Sequence, residues 1–203
     1  MAIRGERVVS KMVCPAWLGH FLASPIRKFI HPPQTILTPY VKEGMTVLDI
    51  GCGMGFFSIP LAQMVGATGK VICVDMQEKM LKGLEKRVQK AGVSARIETR
   101  LCSQHTMGLQ DLAGRIDFAL AFAVVHEVPD PRRFFVELVA TIVPSGSVLL
   151  AEPKGHVSEA EFTSTLWMAQ QQGLTMLKTL QIFRSRSVLL KKETPRRPLE
   201  YRS

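Results

Sequence analysis

From residue 45 onward the chain alternates between short runs of Val, Ile and Leu and longer stretches in which apolar side chains recur every three or four positions. That alternation predicts βα units wound around a mostly parallel sheet, because parallel strands are covered on both faces and read as near-continuous apolar runs. Strands are expected at 45–50 (MTVLDI), 70–75 (KVICVD), 95–99 (ARIET), 116–122 (IDFALAF) and 146–152 (GSVLLAE), with two more near 174–182 and 185–192. Met76, Met80, Leu84 and Val88 form one helical stripe, and Phe134, Phe135, Leu138, Val139 and Ile142 another. Asp130 before Pro131 marks one helix start, and Ser158 with Glu161 forms a capping box that opens a further helix. Only Phe183 and Arg184 stand between the last two strand-like runs and a crossover needs far more chain, so an antiparallel hairpin is expected to close the sheet.

Residues 14–40 mix Trp17, Leu18, Phe21, Leu22, Phe29 and Ile30 with Pro25, Pro32, Pro33 and Pro39. They are expected to form one helix and an irregular segment over the mouth of the domain. The predicted division is a cap segment at 1–43, the main domain at 44–192 and a basic tail at 193–203. A length of 203 residues with 46% hydrophobic and 21% charged positions fits one compact domain and excludes disorder. The longest apolar run, Phe118 to Val125, falls well short of the roughly 18 residues that cross a bilayer. Arg4, Glu6 and Arg7 interrupt the start of the chain, where a cleavable leader would be apolar, so the expected location is cytoplasmic.

The net charge of +9 is unevenly spread: residues 1–42 carry +5, residues 178–203 carry +6, and the middle carries −2. Basic ends can contact RNA, anionic lipid or an acidic partner. Without aromatic interleaving or a nucleic-acid module signature, a solvated tail is the expectation and nucleic acid is not expected as a partner. Cys14, Cys52, Cys73 and Cys102 show neither a Cys-x-x-Cys pair nor a zinc-ligand spacing, so free thiols are expected.

The chemistry concentrates where the first strand runs into Asp49-Ile-Gly51-Cys-Gly53-Met-Gly55-Phe56 and then into a helix. Glycines there let the main chain turn sharply and approach a ligand, and the helix N-terminus offers free N–H groups. Asp75 ends the second strand 24 residues after Gly51, where a carboxylate can accept both hydroxyl hydrogens of a ribose. A dinucleotide fingerprint would have glycine at position 56, which is Phe56, and Asp49 would repel a pyrophosphate. Asp49 instead suits a ligand bearing an ammonium and a sulfonium, so S-adenosylmethionine is the expected cofactor.

At this point the sequence resembles the class I S-adenosylmethionine-dependent methyltransferases, whose first motif, acid-x-Gly-x-Gly-x-Gly, is matched by Asp49, Gly51, Gly53 and Gly55. The resemblance covers about residues 45–192 and points to the small-molecule branch of quinone C-methyltransferases and arsenite methyltransferases. It implies a Rossmann-like α/β fold, doubly wound, with a seven-stranded mostly parallel sheet in the order 3-2-1-4-5-7-6 and strand 7 antiparallel. It implies that Gly51 and Gly53 contact the methionine part, Asp75 the ribose and Met76 the adenine, with S-adenosylhomocysteine as product. The family often binds the adenine amino group through an Asp after the third strand; Ser103 or Gln104 is the replacement here. With Phe56 and Phe122 these make up the expected cofactor-binding set.

Beyond the fourth strand the chain reads Phe122-Ala-Val-Val-His126-Glu127, and beyond the fifth Glu152-Pro-Lys-Gly-His156, so His126, Glu127, Glu152 and His156 are expected at one mouth. Three readings stay open. His126 or Glu127 accepts a proton from a small-molecule acceptor with Glu152 or His156 orienting it; the four hold a divalent ion; or they cap helices and hold loops. The Asn/Asp-Pro-Pro-aromatic motif of amino-group methyltransferases is replaced by Ala121-Phe122-Ala123-Val124, and the Pro-Cys nucleophile of cytosine enzymes is absent, which argues against base methylation. Cys14, Cys52 and Cys102 could gather around arsenite, but small buried hydrophobes are the expectation. A methyltransferase-like binding module acting through its basic ends is the alternative function, and a nicotinamide oxidoreductase is disfavoured by Asp49 and Phe56.

Overall fold

A computed structural model describes residues 30–194. Most of the expected cap segment and nearly all of the basic tail lie outside that range, as does Cys14. After a short helix α1 (Pro33–Leu37), the chain runs β1 (Thr46–Ile50), α2 (Ser58–Met64), β2 (Lys70–Asp75), α3 (Glu78–Lys90), β3 (Ile97–Leu101) and β4 (Ile116–Phe122). It continues α4 (Pro131–Thr141), β5 (Ile142–Pro153), α5 (Glu159–Gln171), β6 (Leu174–Leu180) and β7 (Ser185–Lys192).

The strands form one seven-stranded sheet in the order β3-β2-β1-β4-β5-β7-β6. Pairing is parallel from β3 across to β5, and β7 runs antiparallel to both β5 and β6. The hairpin expected from the two-residue spacing is thus present, and it brings the start of β7 to the same end of the sheet as the carboxyl ends of β1, β4 and β5.

Helices cover both faces. One face buries Ile50, Val74, Ala121 and Leu150 against Phe134, Phe135 and Leu138 of α4 and Phe162 of α5. The other buries Val47, Cys73, Phe118 and Leu149 against Leu61 of α2 and Leu81, Leu84 and Val88 of α3. The helix starts carry the predicted caps: Asp130 accepts from the Arg133 N–H, with Pro131 at the first helical position, and Ser158 and Glu161 form a reciprocal capping box. Lys192, at the end of β7, donates from Nζ to the carbonyls of Val139 and Ile142 at 2.8 and 2.7 Å, so the last strand closes the open end of α4.

Several strand bounds differ from the sequence reading. β3 begins at Ile97 because Ser94–Arg96 coil into a 3-10 turn, and β6 stops at Leu180. β5 begins at Ile142, straight out of α4, and passes Ser145 at φ 65° and a register shift against β4 before entering regular pairing. Between β3 and β4 the described chain has only a 3-10 turn, Gln110–Leu112. Glu137 of α4 pins that connection by accepting from the Met107 N–H at 2.7 Å and the Thr106 hydroxyl at 3.0 Å. Among the described residues, no helix is long and apolar enough to cross a membrane.

Candidate active site

Gly51, Gly53 and Gly55 all have positive φ, at 67°, 53° and 80°. The Gly51 and Cys52 N–H groups both donate to the Val74 carbonyl, at 2.8 and 3.1 Å, which stitches the loop to the end of β2. Arg87 of α3 donates to the Met54 carbonyl at 2.8 Å and holds the other limb. The three glycines serve different ends. A Cβ on Gly51 would come within 2.8 Å of Val124 Cγ2, and one on Gly55 would collide with Leu84 Cδ1. A Cβ on Gly53 would meet nothing within 4 Å, so this turn of backbone faces open space. Packing excludes a side chain at the first and third positions, and at the second a half-buried, left-handed main chain with open space beside it is available to a ligand.

Asp49 lies beneath the loop, 3% exposed, and accepts from the Ser58 hydroxyl at 2.6 Å. Ser58 is itself fully buried at the start of α2. Phe56 and Phe57 are buried edge to face with each other, and Phe57 also meets Phe122, at a centroid distance of 4.8 Å. Phe122 takes the edge of His31 on the same cluster, at 5.2 Å.

Asp75 is 8% exposed at the tip of β2. Its Oδ2 accepts from the Gly53 N–H and its Oδ1 from the Gln77 N–H, each at 2.9 Å, so the carboxylate ties the glycine loop to the start of α3. Burial pushes its pKa up, against the pull of those N–H groups. Each oxygen keeps a further lone pair, the capacity that two ribose hydroxyls require. Met76 is half-buried beside it. The Ser103 hydroxyl accepts from the N–H groups of His105 and Thr106 at 3.2 Å, so it is engaged in its own turn, with Gln104 exposed at the apex.

Cys52, Cys73 and Cys102 are free thiols. The Cys73 side chain and burial raise Cys52, while burial first, and then Asp75, push Cys102 up to about 11. Both shifts favour the neutral thiol over the thiolate.

At the carboxyl ends of β4 and β5 the four expected residues come together. Ala123 adopts φ 58° and donates its N–H to the Ala151 carbonyl at 2.7 Å, which turns the chain sharply after Phe122. The turn aims the Val124 and Val125 N–H groups at Glu152 Oε1, at 3.3 and 2.8 Å. The other oxygen of Glu152, Oε2, bonds His126 Nδ1. Glu152 is 1% exposed, so a buried carboxylate engaged by three donors fixes the imidazole. With the hydrogen on Nδ1, the neutral ring carries its basic lone pair on Nε2, as an orienting carboxylate dictates. Glu127 Oε1 lies 4.0 Å from Nε2, and the exposed His156 ring lies 5.9 Å from that of His126. Among the described residues, no group of three or more His, Cys, Asp or Glu side chains is disposed to hold a metal ion.

The sequence reading did not anticipate Ser58 as the partner of Asp49, or Val124 as the side chain against Gly51. A hydroxyl three residues beyond the last loop glycine signals the first; the second depends on the left-handed turn at Ala123, which no residue type announces.

A family model described as "Methyltransferase domain" matches residues 41–195. The chain is 36% identical over 137 residues to a mitochondrial ubiquinone biosynthesis O-methyltransferase of Arabidopsis thaliana, covering 68% of this chain and 40% of that protein. It is 30% identical over 112 residues to a demethylmenaquinone methyltransferase of Oceanobacillus iheyensis, covering 55% and 46%. The chain therefore spans less than half the length of these two curated relatives. Among solved structures it is similar to a SAM dependent methyltransferase from Aquifex aeolicus, with a TM-score of 0.78 at 24% identity over 88% of this chain and 98% of that one, a likeness of fold. A match over most of the chain, on a sheet of this order with a glycine loop at its first switch point, makes the protein a member of the methyltransferase domain family.

Proposed function

We propose that the protein transfers the methyl group of S-adenosylmethionine to a small-molecule acceptor carrying an ionisable hydroxyl. The observation that carries this reading is the open backbone at Gly53 directly bonded to the Asp75 carboxylate, a cradle and an acid side by side at the carboxyl edge of β1 and β2. S-adenosylmethionine supplies a methyl group already activated by its positive sulfur. The chain supplies the rest. Gly51 and Gly53 admit the methionine part, Asp75 takes the ribose hydroxyls, and Met76 covers the adenine. Asp49, buried under the loop, adds negative potential beneath a cationic ligand, while Gly55, Phe56 and Phe122 shape the walls.

On the acceptor side, His126 Nε2 takes the proton that the attacking hydroxyl loses, and Glu152 holds the ring and stabilises the imidazolium. Glu127 borders that nitrogen, and His156 lies beside the ring. In-line displacement needs alignment and exclusion of water more than it needs covalent help, which suits a site of fixed backbone and one oriented base. The relative named as a ubiquinone biosynthesis O-methyltransferase supports an acceptor that is methylated on oxygen. The proposed division remains residues 1–43, 44–192 and a basic 193–203; binding to RNA or protein is not the favoured function.

Calorimetric titration with S-adenosylhomocysteine tests the cofactor half. Binding by the wild type that weakens in Asp75→Ala supports it, and equal binding by both proteins rejects it.

A further inference from the structure

On β7, Arg186 is the residue paired with Glu152, one rung from the end of the β5–β7 ladder. Directly opposed residues of an antiparallel pair project from the same face, so the guanidinium leaves the sheet on the side of the Glu152 carboxylate. Glu152 thus has His126 on its β4 side and Arg186 on its β7 side. It bonds only the first: both its oxygens are committed to His126, Val124 and Val125. The Arg186 Nε is shielded from water and has no hydrogen-bond partner.

The protein treats its other inward-reaching arginines differently. Arg87 donates to the Met54 carbonyl at 2.8 Å, Arg96 to the Ala62 carbonyl at 3.2 Å, and Arg100 to both oxygens of Asp111. A guanidinium donor removed from water and left unmet is unfavourable, and its planar fork matches a carboxylate. Lys154 and Arg184, joined by a main-chain hydrogen bond of 2.9 Å, carry exposed cationic side chains on the segments that follow β5 and precede β7.

Building on the methyltransferase reading above, we infer that Arg186 is a specificity-determining residue that binds a carboxylate on the acceptor and so presents the acceptor's hydroxyl to His126. β4 and β7 flank β5 two strand spacings apart, about 10 Å. A hydroxylated aryl acid bridges such a span with one hydrogen bond of about 2.8 Å at each end. The aromatic cluster of buried Phe57 with half-buried Phe122 and His31 at the same end of the sheet suits a flat ring.

The test titrates the full chain, loaded with S-adenosylhomocysteine, with para-hydroxybenzoate, para-hydroxyphenylacetate and para-hydroxyphenylpropionate, each beside its methyl ester. At least one acid is expected to bind the wild type about tenfold or more tighter than its ester. That preference disappears in Arg186→Met and is kept, reduced, in Arg186→Lys. Equal binding of acids and esters, no binding of any acid, or a preference that survives in Arg186→Met overturns the inference. S-adenosylhomocysteine affinity reports on the fold of each variant; if Arg186→Met loses it, the wild-type acid-to-ester ratio and Arg186→Lys decide. Failure of the wild type to bind S-adenosylhomocysteine is a separate outcome that removes the methyltransferase reading itself.

Discussion

Gly53 donates its main-chain N–H to Asp75 Oδ2, so the one loop glycine whose Cβ would meet no neighbour and the acid at the tip of β2 are parts of one hydrogen-bonded unit. Cofactor affinity and loop order should therefore change together. Burial raises the Asp75 pKa, so the folded protein holds this proton more tightly than the unfolded chain does. The sign follows: its contribution to folding stability is fully present below the ordinary aspartate range and is lost as pH rises through the raised value. Ribose binding needs the ionised form and runs the other way. S-adenosylhomocysteine affinity is expected to fall on acidification at a higher pH than an unperturbed aspartate would give, and Asp75→Asn should be weak and free of that dependence. Titrations across the acid range check both.

Glu152→Gln keeps the size of the side chain but removes the charge that holds His126. Loss of about 10²-fold or more in kcat is expected, with S-adenosylhomocysteine affinity near that of the wild type. Single-turnover methyl transfer measured beside calorimetry separates the two. An equal loss in both would mean that Glu152 serves only to hold the loop after β4.

The loop glycines should divide into two kinds. Gly55→Ala drives a methyl group into Leu84 and keeps the strain of φ 80°, so it should cost about 2–4 kcal/mol in chemical denaturation. Gly53→Ala meets no atom within 4 Å and should cost about 1 kcal/mol, chiefly from its backbone angle, yet weaken cofactor binding more than its stability loss explains.

Ser58→Ala removes the hydroxyl donor to the buried Asp49 carboxylate. A loss of about 1–3 kcal/mol is expected in denaturant melts, with Ser58→Thr retaining part of it.

The sheet was legible because its evidence is local and repeated. Each buried parallel strand is a run such as VLDI or VICV, the two-residue gap after Ile182 forces a hairpin, and the Asp130 and Ser158 caps are short-range chemistry. The glycine loop was legible for the same reason. Less could be read where distant segments meet. The left-handed turn at Ala123 carries no glycine to mark it, and the bonds by which the His105 and Thr106 N–H groups engage the Ser103 hydroxyl arise from folding of that loop alone. The convergence of His126, Glu127, Glu152 and His156 followed from their places at strand ends. Which of them touch did not, since that depends on the direction the chain takes after Ala123.

Val124 makes contact with the Gly51 backbone on one side and gives its N–H to Glu152 on the other. A single small residue is therefore common ground for the bend that cradles one reactant and the brace that steers the base for the other. Substitutions that enlarge it to suit a new acceptor would press on the methionine side of the cofactor as well, so changes in preference should arise more readily at the β5 and β7 rim, where the two half-sites do not share a wall.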